Sequence, residues 1–97
     1  MWTGDNLASE EHMHMSIQML LQMSMCGLGF TGADVGGFFP SRDENVSEKE
    51  KQLLLMKWHS LGVFYPFMRQ HSHKESKRRE PYLYKGSTFN VLQWSVN

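Results

Sequence analysis

Four short motifs along this 97-residue chain carry side chains that can transfer protons or bind polar groups. In chain order they are Trp2–Asn6, Gly32–Phe39, Leu61–His71 and Arg79–Pro81. The first two contain the carboxylates Asp5 and Asp34, and the third ends in Arg69 and His71. A positioned carboxyl group can act as a general acid or base, and Arg, His and Asp form charge-assisted hydrogen bonds. These residue types would suit a site that binds a polar ligand and transfers a proton to it.

Each of these side chains also has a purely structural interpretation. Asp5 is typical of a turn residue, and Asp34 could cap the turn at Gly36. Arg69 could be a structural ion-pair partner, and His71 could be a histidine satisfied within a loop. Taken one at a time, the residues leave these alternatives open.

Composition and charge argue against several other classes of function. Ten basic and ten acidic side chains cancel, so bulk charge would attract neither nucleic acid nor an anionic membrane. No stretch approaches the roughly 20 apolar residues of a membrane span, and Met1 is not followed by a basic and then hydrophobic leader. The single Cys26 cannot form an internal disulfide and is predicted to be a small buried residue.

Two further clusters are predicted to bind no ligand. The pairs His12/His14 and His71/His73 have i, i+2 spacing and cannot share a helical face, and the lone Cys26 offers no zinc spacing, so no metal is expected. The basic run from Lys74 to Arg79 is interleaved with acidic residues and is predicted to be a solvated loop.

Three helices are predicted to position the motifs. They cover Glu10–Met25, a segment that opens after the Ser47/Glu50 capping box and runs towards Pro66, and Ser87–Asn97. Ser9 can cap the first helix and Gly27 can stop it. Its methionines are predicted to fill the core; they are Met13, Met15, Met19, Met23 and Met25.

The apolar segment Leu28–Val35 predicts a buried parallel strand with Asp34 at its carboxyl end, where catalytic groups of α/β barrels lie. A parallel strand needs hydrogen-bonded neighbours on both sides, and the sequence offers no other credible strand. The chain is therefore predicted to be part of a larger α/β sheet and not a complete independent domain.

The motifs and their order resemble glycoside hydrolase family 31, whose members share W-T-G-D, then G-A-D-x-x-G-F, then L-G-x-F-x-P-F-x-R-x-H. The likeness covers essentially the whole chain. Within the family, G-D-N, G-A-D-V-G-G-F-F, H-S-H and K-R-R-E-P-Y-L look most like the α subunits of glucosidase II. The resemblance implies that residues 1–97 are a fragment of one (β/α)8 TIM barrel. The fragment would run from the end of strand 6 through the region after strand 7, with the eighth strand after Asn97.

The resemblance also implies roles for the site residues. Asp5 matches the general acid/base, which must protonate a glycosidic oxygen because that oxygen is otherwise a poor leaving group. The residues that match the subsite for the released glucose are Trp2, Asp34, Phe38, Arg69 and His71. Trp2 and Phe38 would form its apolar walls.

Some positions depart from the family pattern. Glu10, Gln18 and Lys57 stand where the family usually has Trp, Pro and Arg, and the loop over Pro40–Gln52 is longer. The family's W-x-D-M-N-E nucleophile segment would lie before Met1. A retaining mechanism needs two carboxylates, so the 97-residue chain alone is predicted to be inactive.

The resemblance implies that the intact protein is a retaining α-glucosidase that releases terminal α-linked glucose in N-glycan trimming. It implies a carbohydrate substrate, no cofactor, no nucleic-acid or membrane partner, a location in the endoplasmic reticulum lumen, and the glucosidase II β subunit as a protein partner. Two alternatives stay open. The chain could be an inactive truncated fragment or relic, or it could come from a family member that acts on maltose, starch or xylosides.

Overall fold

The computed structural model describes residues 1–96 and contains three α-helices joined by extended segments and loops. The helices are α1 (Glu10–Met25), α2 (Glu48–Gly62) and α3 (Gly86–Val96), with a short 3₁₀-helix over Pro81–Leu83 before α3. Isolated parallel bridges join Trp2 to Gly32, Leu7 to Phe39 and Asp34 to Arg69. No helix within these residues is long and apolar enough to cross a membrane.

Helix α1 forms because both of its ends are satisfied locally. The Ser9 hydroxyl accepts a hydrogen bond from the His12 amide (3.2 Å), and two glutamates in the first turn favour the positive end of the helix dipole. The helix ends at Met25, and Gly27 follows with a φ of 87° that glycine adopts readily. The predicted bounds of this helix are confirmed.

The methionines of α1 do not all enter the core, and the prediction that they would is wrong for three of them. Met13 is buried, whereas Met15, Met19 and Met25 are 47%, 38% and 89% exposed. Successive helical residues point about 100° apart, so one core-facing stripe cannot hold Met13 together with Met15 or Met19. Cys26, which was also predicted to be buried, is exposed because it caps the far end of the helix, beyond the stripe.

Residues 31–35 form the buried centre of the chain. Backbone hydrogen bonds join them to residues 1–3 on one edge and to residues 67–69 on the other, with N···O distances between 2.9 and 3.2 Å. The bridges on both edges are parallel. The prediction that this segment would lack neighbours within the chain is therefore wrong. The first half of the predicted strand, residues 28–30, is exposed.

The sequence did not predict residues 1–3 and 67–69 as strands, because neither segment is an apolar run. Each makes only one bridge to the central segment. Residues 67–69 lie directly beside the central segment, on the edge opposite residues 1–3. Asn97, after which the eighth strand is expected, lies outside the described residues. The close approach requires glycine at position 32, because a Cβ there would collide with the carbonyl of Phe67.

Helix α2 begins at the predicted capping box. Ser47 Oγ accepts from the Glu50 amide (3.2 Å), and the Glu50 carboxylate accepts from the Ser47 amide (3.3 Å). The helix ends at Gly62, ahead of Pro66, as the missing amide and fixed φ of proline require.

The core lies between α1, α2 and the central segment. Trp58 and Val35 are fully buried and pack together with Met13 and Tyr65. Trp58 Nε1 donates to the Tyr65 hydroxyl (3.1 Å), which also shares a hydrogen bond with the Ser16 hydroxyl. The two ring systems are therefore buried without leaving these polar atoms unpaired.

Helix α3 packs on α2 through a buried histidine. His59 is 1% exposed, and its Nδ1 lies 2.8 Å from the Ser95 hydroxyl of α3. Burial, helped by the charge of Arg79, lowers the pKa of His59 from 6.5 to about 4. The folded protein therefore holds this ring in its neutral form.

The depressed pKa of His59 predicts a loss of stability in acid. The contribution of the neutral His59 ring to the free energy of unfolding is fully present above pH 6.5. It is lost as the pH falls towards 4, because in this range His59 binds a proton in the unfolded chain but not in the folded one. The loss amounts to about 3 kcal/mol at 1.36 kcal/mol per pKa unit. We expect urea titrations to show that the free energy of unfolding falls between pH 7 and pH 4 in both proteins. The fall should be smaller in His59→Gln than in the wild type by about that amount.

The matched control is His14→Gln, because His14 is exposed on α1. This variant should keep the pH dependence of the wild type. Equal acid sensitivity of His59→Gln and wild type would contradict the assignment.

Candidate functional site

The loop that carries Asp5 is tied to the loop that carries Asp34 by the side chain of Asn6. The Asn6 amide is buried; its Oδ1 accepts from the Phe38 backbone N–H (2.8 Å), and its Nδ2 donates to the Asp34 carbonyl (3.2 Å). The Asn6 carbonyl accepts from the backbone amides of Phe38 and Phe39, both at 2.9 Å. Asn6 belongs to the Trp2–Asn6 motif, but the sequence alone predicted no role for it. Its side-chain amide follows a glycine turn, and such an amide must find hydrogen-bond partners if it is buried.

The same two loops touch at Gly37. Its φ of 87° lies in the left-handed region, and a Cβ at this position would collide with the backbone of Ala8. A side chain here would push the loops apart. The second glycine of the Gly36-Gly37 pair is therefore a packing requirement of the site.

Asp34 and Arg69 form an ion pair beneath the loops. Arg69 Nε lies 3.0 Å from Asp34 Oδ1, and the Asp34 side chain is completely buried. Burial raises the pKa of the Asp34 carboxyl, while the hydrogen bond and the positive charge of Arg69 act against that rise. Asp34 Oδ2 accepts no hydrogen bond from residues 1–96, so one acceptor oxygen is left over in a buried position.

Aromatic rings surround this ion pair. The Arg69 guanidinium carbon lies 4.7 Å from the centre of the Trp2 ring system and 5.6 Å from that of Phe67. The His71 ring meets Trp2 edge-on, with centroids 6.3 Å apart, and lies 5.2 Å from the ring of Phe38. The structure thus brings together all of the predicted binding residues, which are Trp2, Asp34, Phe38, Arg69 and His71.

Asp5 lies at the edge of this arrangement. Its side chain is exposed. It borders a concavity of about 200 Å³ that is also lined by Thr3, His12 and Ser16. The loop behind it is held by His12, whose Nδ1 accepts from the Leu7 amide at 3.0 Å. Asp5 is therefore open to a ligand, and its connection to the ion pair runs through its neighbour Asn6.

A family model for the TIM-barrel domain of glycosyl hydrolases family 31 matches residues 1–96. The chain belongs to glycosyl hydrolase family 31. A probable glucan 1,3-alpha-glucosidase of Arabidopsis thaliana is 44% identical over 96 residues, covering 99% of this chain and 10% of the relative. The neutral alpha-glucosidase AB of Dictyostelium discoideum is 46% identical over 95 residues, which is 98% of this chain and 9% of that protein.

Solved structures are similar as well. The crystal structure of an ER glucosidase II heterodimeric complex, of a catalytic subunit with the binding domain of a regulatory subunit, matches with a TM-score of 0.85 and 41% identity. The match covers 99% of this chain and 10% of that chain. This family 31 chain thus spans about a tenth of the length of the relatives it matches.

One residue of this family 31 chain, Arg79, lies in an environment that differs from the predicted one. Arg79 was predicted to lie in a solvated basic loop, but it is half-buried, and its guanidinium donates to the carbonyls of Gly36 (2.7 Å) and His71 (3.1 Å). The neighbouring Lys77 and Arg78 are exposed, as predicted, and pair with carboxylates. Local sequence could not separate these cations because only the fold brings the two carbonyls to Arg79.

Within residues 1–96, no three His, Cys, Asp or Glu side chains gather into a group that could hold a metal ion.

The Asp34–Arg69 pair predicts strong coupling between the two residues. Arg69→Met leaves a buried carboxylate without its counter-charge, and we expect the free energy of unfolding to fall by about 3 kcal/mol. In an Asp34→Asn background the same change should cost about 1 kcal/mol, because only a neutral hydrogen bond is then lost. Urea unfolding of the four proteins in this double-mutant cycle measures the difference.

The control is Lys57→Met, which removes an exposed ion pair with Glu10 of comparable length, 2.7 Å. It should leave stability nearly unchanged, since exposed pairs contribute little. Equal costs for Arg69→Met in both backgrounds would show that the pair does not stabilise this site.

Proposed function

We propose that the protein to which this chain belongs is a retaining α-glucosidase that removes terminal α-1,3-linked glucose from N-glycans. Support comes from family membership, from relatives named as glucan 1,3-alpha-glucosidase and neutral alpha-glucosidase AB, and from the likeness to ER glucosidase II. The observation that carries the proposal is the buried Asp34–Arg69 pair enclosed by Trp2 and His71, next to the exposed carboxylate of Asp5.

In this proposal the ion pair and its neighbours hold the glucose that is released. Asp34 Oδ2 and the donors of Arg69 and His71 would pair with sugar hydroxyls that have lost their water, which discriminates between stereoisomers. Trp2 and Phe38 would pack against the apolar C–H faces of the ring.

Asp34 is better suited to binding than to nucleophilic attack. One of its oxygens is engaged by Arg69, and the whole side chain is withdrawn from solvent. The nucleophile of a retaining glycosidase must lie about 5 to 5.5 Å from the acid/base carboxyl. We assign that role to the family's W-x-D-M-N-E segment and not to Asp34.

Asp5 is proposed as the general acid/base. It protonates the glycosidic oxygen while the nucleophile attacks the anomeric carbon, and the leaving sugar departs as an alcohol. The resulting carboxylate then takes a proton from water, which attacks the glycosyl-enzyme and releases glucose with retention. Asn6 would keep Asp5 in register with the sugar-binding residues during both steps.

The likeness also suggests how the complete protein is built. We propose that residues 1–3, 31–35 and 67–69 lie on three consecutive strands of a (β/α)8 barrel, numbered six, seven and eight. We further propose that the complete enzyme acts in the endoplasmic reticulum lumen and pairs with a regulatory subunit, as the similar heterodimer does.

The proposed role of Asp5 is tested by Asp5→Asn in the complete enzyme. The amide keeps the shape but cannot transfer the proton, so hydrolysis of an α-1,3-linked glucose disaccharide should fall by about 10² to 10⁴. Glucosyl fluoride, whose leaving group needs little protonation, should still glycosylate the enzyme. Added azide should accelerate the slow second step, because it attacks without a base, and should yield glucosyl azide.

Asp43→Asn is the matched control, since Asp43 lies in an exposed turn. It should hydrolyse the disaccharide like wild type. If Asp5→Asn cleaves the disaccharide within about threefold of wild type, the acid/base role is wrong. Preference of the wild type for maltose, starch or xylosides over the α-1,3 disaccharide would refute the proposed substrate while leaving the role of Asp5 intact.

A further inference from the structure

Arg79 joins two parts of the chain that carry proposed sugar-binding residues. Its Nη1 donates to the carbonyl of Gly36, which lies between Asp34 and Phe38, at 2.7 Å. Its Nη2 donates to the carbonyl of His71 at 3.1 Å. One guanidinium therefore spans the gap between the loop after the central segment and the loop after residues 67–69.

Contacts fix both the main chain and the guanidinium of Arg79. Gln70 Nε2 donates to the backbone carbonyl of Arg79 (2.9 Å), which anchors the main chain of this residue beside His71. At the other end, a Cβ built on Gly36 would come within 2.9 Å of Arg79 Nη1 and within 2.9 Å of the Leu55 side chain. Glycine at position 36 thus leaves room for the guanidinium of Arg79 to reach the Gly36 carbonyl.

Arg79 has no carboxylate partner within residues 1–96, unlike its neighbour Arg78. Arg78 is exposed, pairs with Glu80 at 3.2 Å and donates to the Tyr82 hydroxyl at 2.6 Å. Withdrawing a cation from water is costly, and Arg79 offsets that cost by donating to two backbone carbonyls, with the more distant carboxylate of Asp34 acting in the same direction. The rigid fork of a guanidinium can serve two carbonyls in fixed directions at once, which the single ammonium of lysine does less well.

We propose that Arg79 is a positioning residue that sets the distance between the Asp34–Phe38 loop and His71, so that both close on one glucose unit. This inference rests on the proposed function, because it assigns Arg79 to the sugar-binding site described above. Arg79 itself touches no substrate. It acts through the two carbonyls that it holds.

The test compares Arg79→Ala and Arg79→Lys with Arg78→Ala in the complete enzyme. Loss of the fork lets both loops shift, and misplacement by about 1 Å can cost about 10²-fold, so Arg79→Ala should lower kcat/KM for the α-1,3 disaccharide by roughly that factor. The inhibition constant of free glucose should rise in parallel, because sugar binding itself is impaired. Arg79→Lys should recover part of the loss, and Arg78→Ala should behave like wild type.

Rescue separates positioning from a general loss of structure. Guanidinium chloride at millimolar concentration should restore part of the activity of Arg79→Ala, since the ion can enter the vacated space and donate to both carbonyls. Sodium chloride at equal ionic strength should not, and Arg78→Ala should respond to neither salt. Activity of Arg79→Ala within about threefold of wild type, or an equal loss in all three variants, would overturn the proposal.

A measurement without substrate keeps this inference separate from the proposed function. His73 N donates to the Phe38 carbonyl at 2.8 Å, next to the contacts of Arg79. In Arg79→Ala the His73 amide should exchange its hydrogen faster, whereas amides within α1 should keep their rates. If the wild type fails to hydrolyse α-glucosides but this exchange difference is found, the proposed function fails and the positioning role stands. Unchanged exchange at His73 would refute the role of Arg79 whatever the activity.

Discussion

The buried carboxylate of Asp34 is the constraint on which the arrangement of this chain depends. A fully buried carboxylate is tolerated only when a positive partner and hydrogen bonds replace its lost water. Arg69 supplies that partner, which requires residues 67–69 to lie directly beside residues 31–35. Arg69 is itself packed between the rings of Trp2 and Phe67, so residues 1–3 must lie close as well.

Around this pair, polar side chains hold the backbone by hydrogen bonds, and glycines allow backbone segments to approach closely. Asn6 and Arg79 donate to carbonyls of the same loop, at Asp34 and Gly36, and Gly32 and Gly37 allow neighbouring segments to touch. Val35, the next residue after Asp34, belongs to the apolar core with Trp58. The site is thus a polar network that adjoins the packed core and is contacted by the rings of Trp2 and His71.

The helices could be predicted because their signals are local. Ser9, Ser47 and Gly27 act on the backbone within a few residues, and the bounds of α1 and the capping box of α2 followed from them. The grouping of Asp34 with Arg69 and His71 followed from family resemblance, since nothing in their spacing reports a contact.

What could not be predicted depended on partners far along the chain. Which segments meet decides the neighbours of residues 31–35, the exposure of Met15 and Met19, and the carbonyl contacts of Arg79, and no local pattern encodes that. The roles of Asn6 and Arg79 emerged only when the carbonyls they hold were located in space.

The long separations between contacting residues also bear on the order of folding. The bonds that assemble the site join residues 28, 35 and 43 positions apart, whereas α1 and α2 are stabilised by contacts within a few residues. Closing long loops has an entropic cost that must be met before such contacts form, so local structure appears first. On the ribosome, the ion pair cannot form until residue 69 has emerged, and the Arg79 contacts cannot form until ten residues later still. The sugar-binding surface is therefore among the last parts of this chain to take shape.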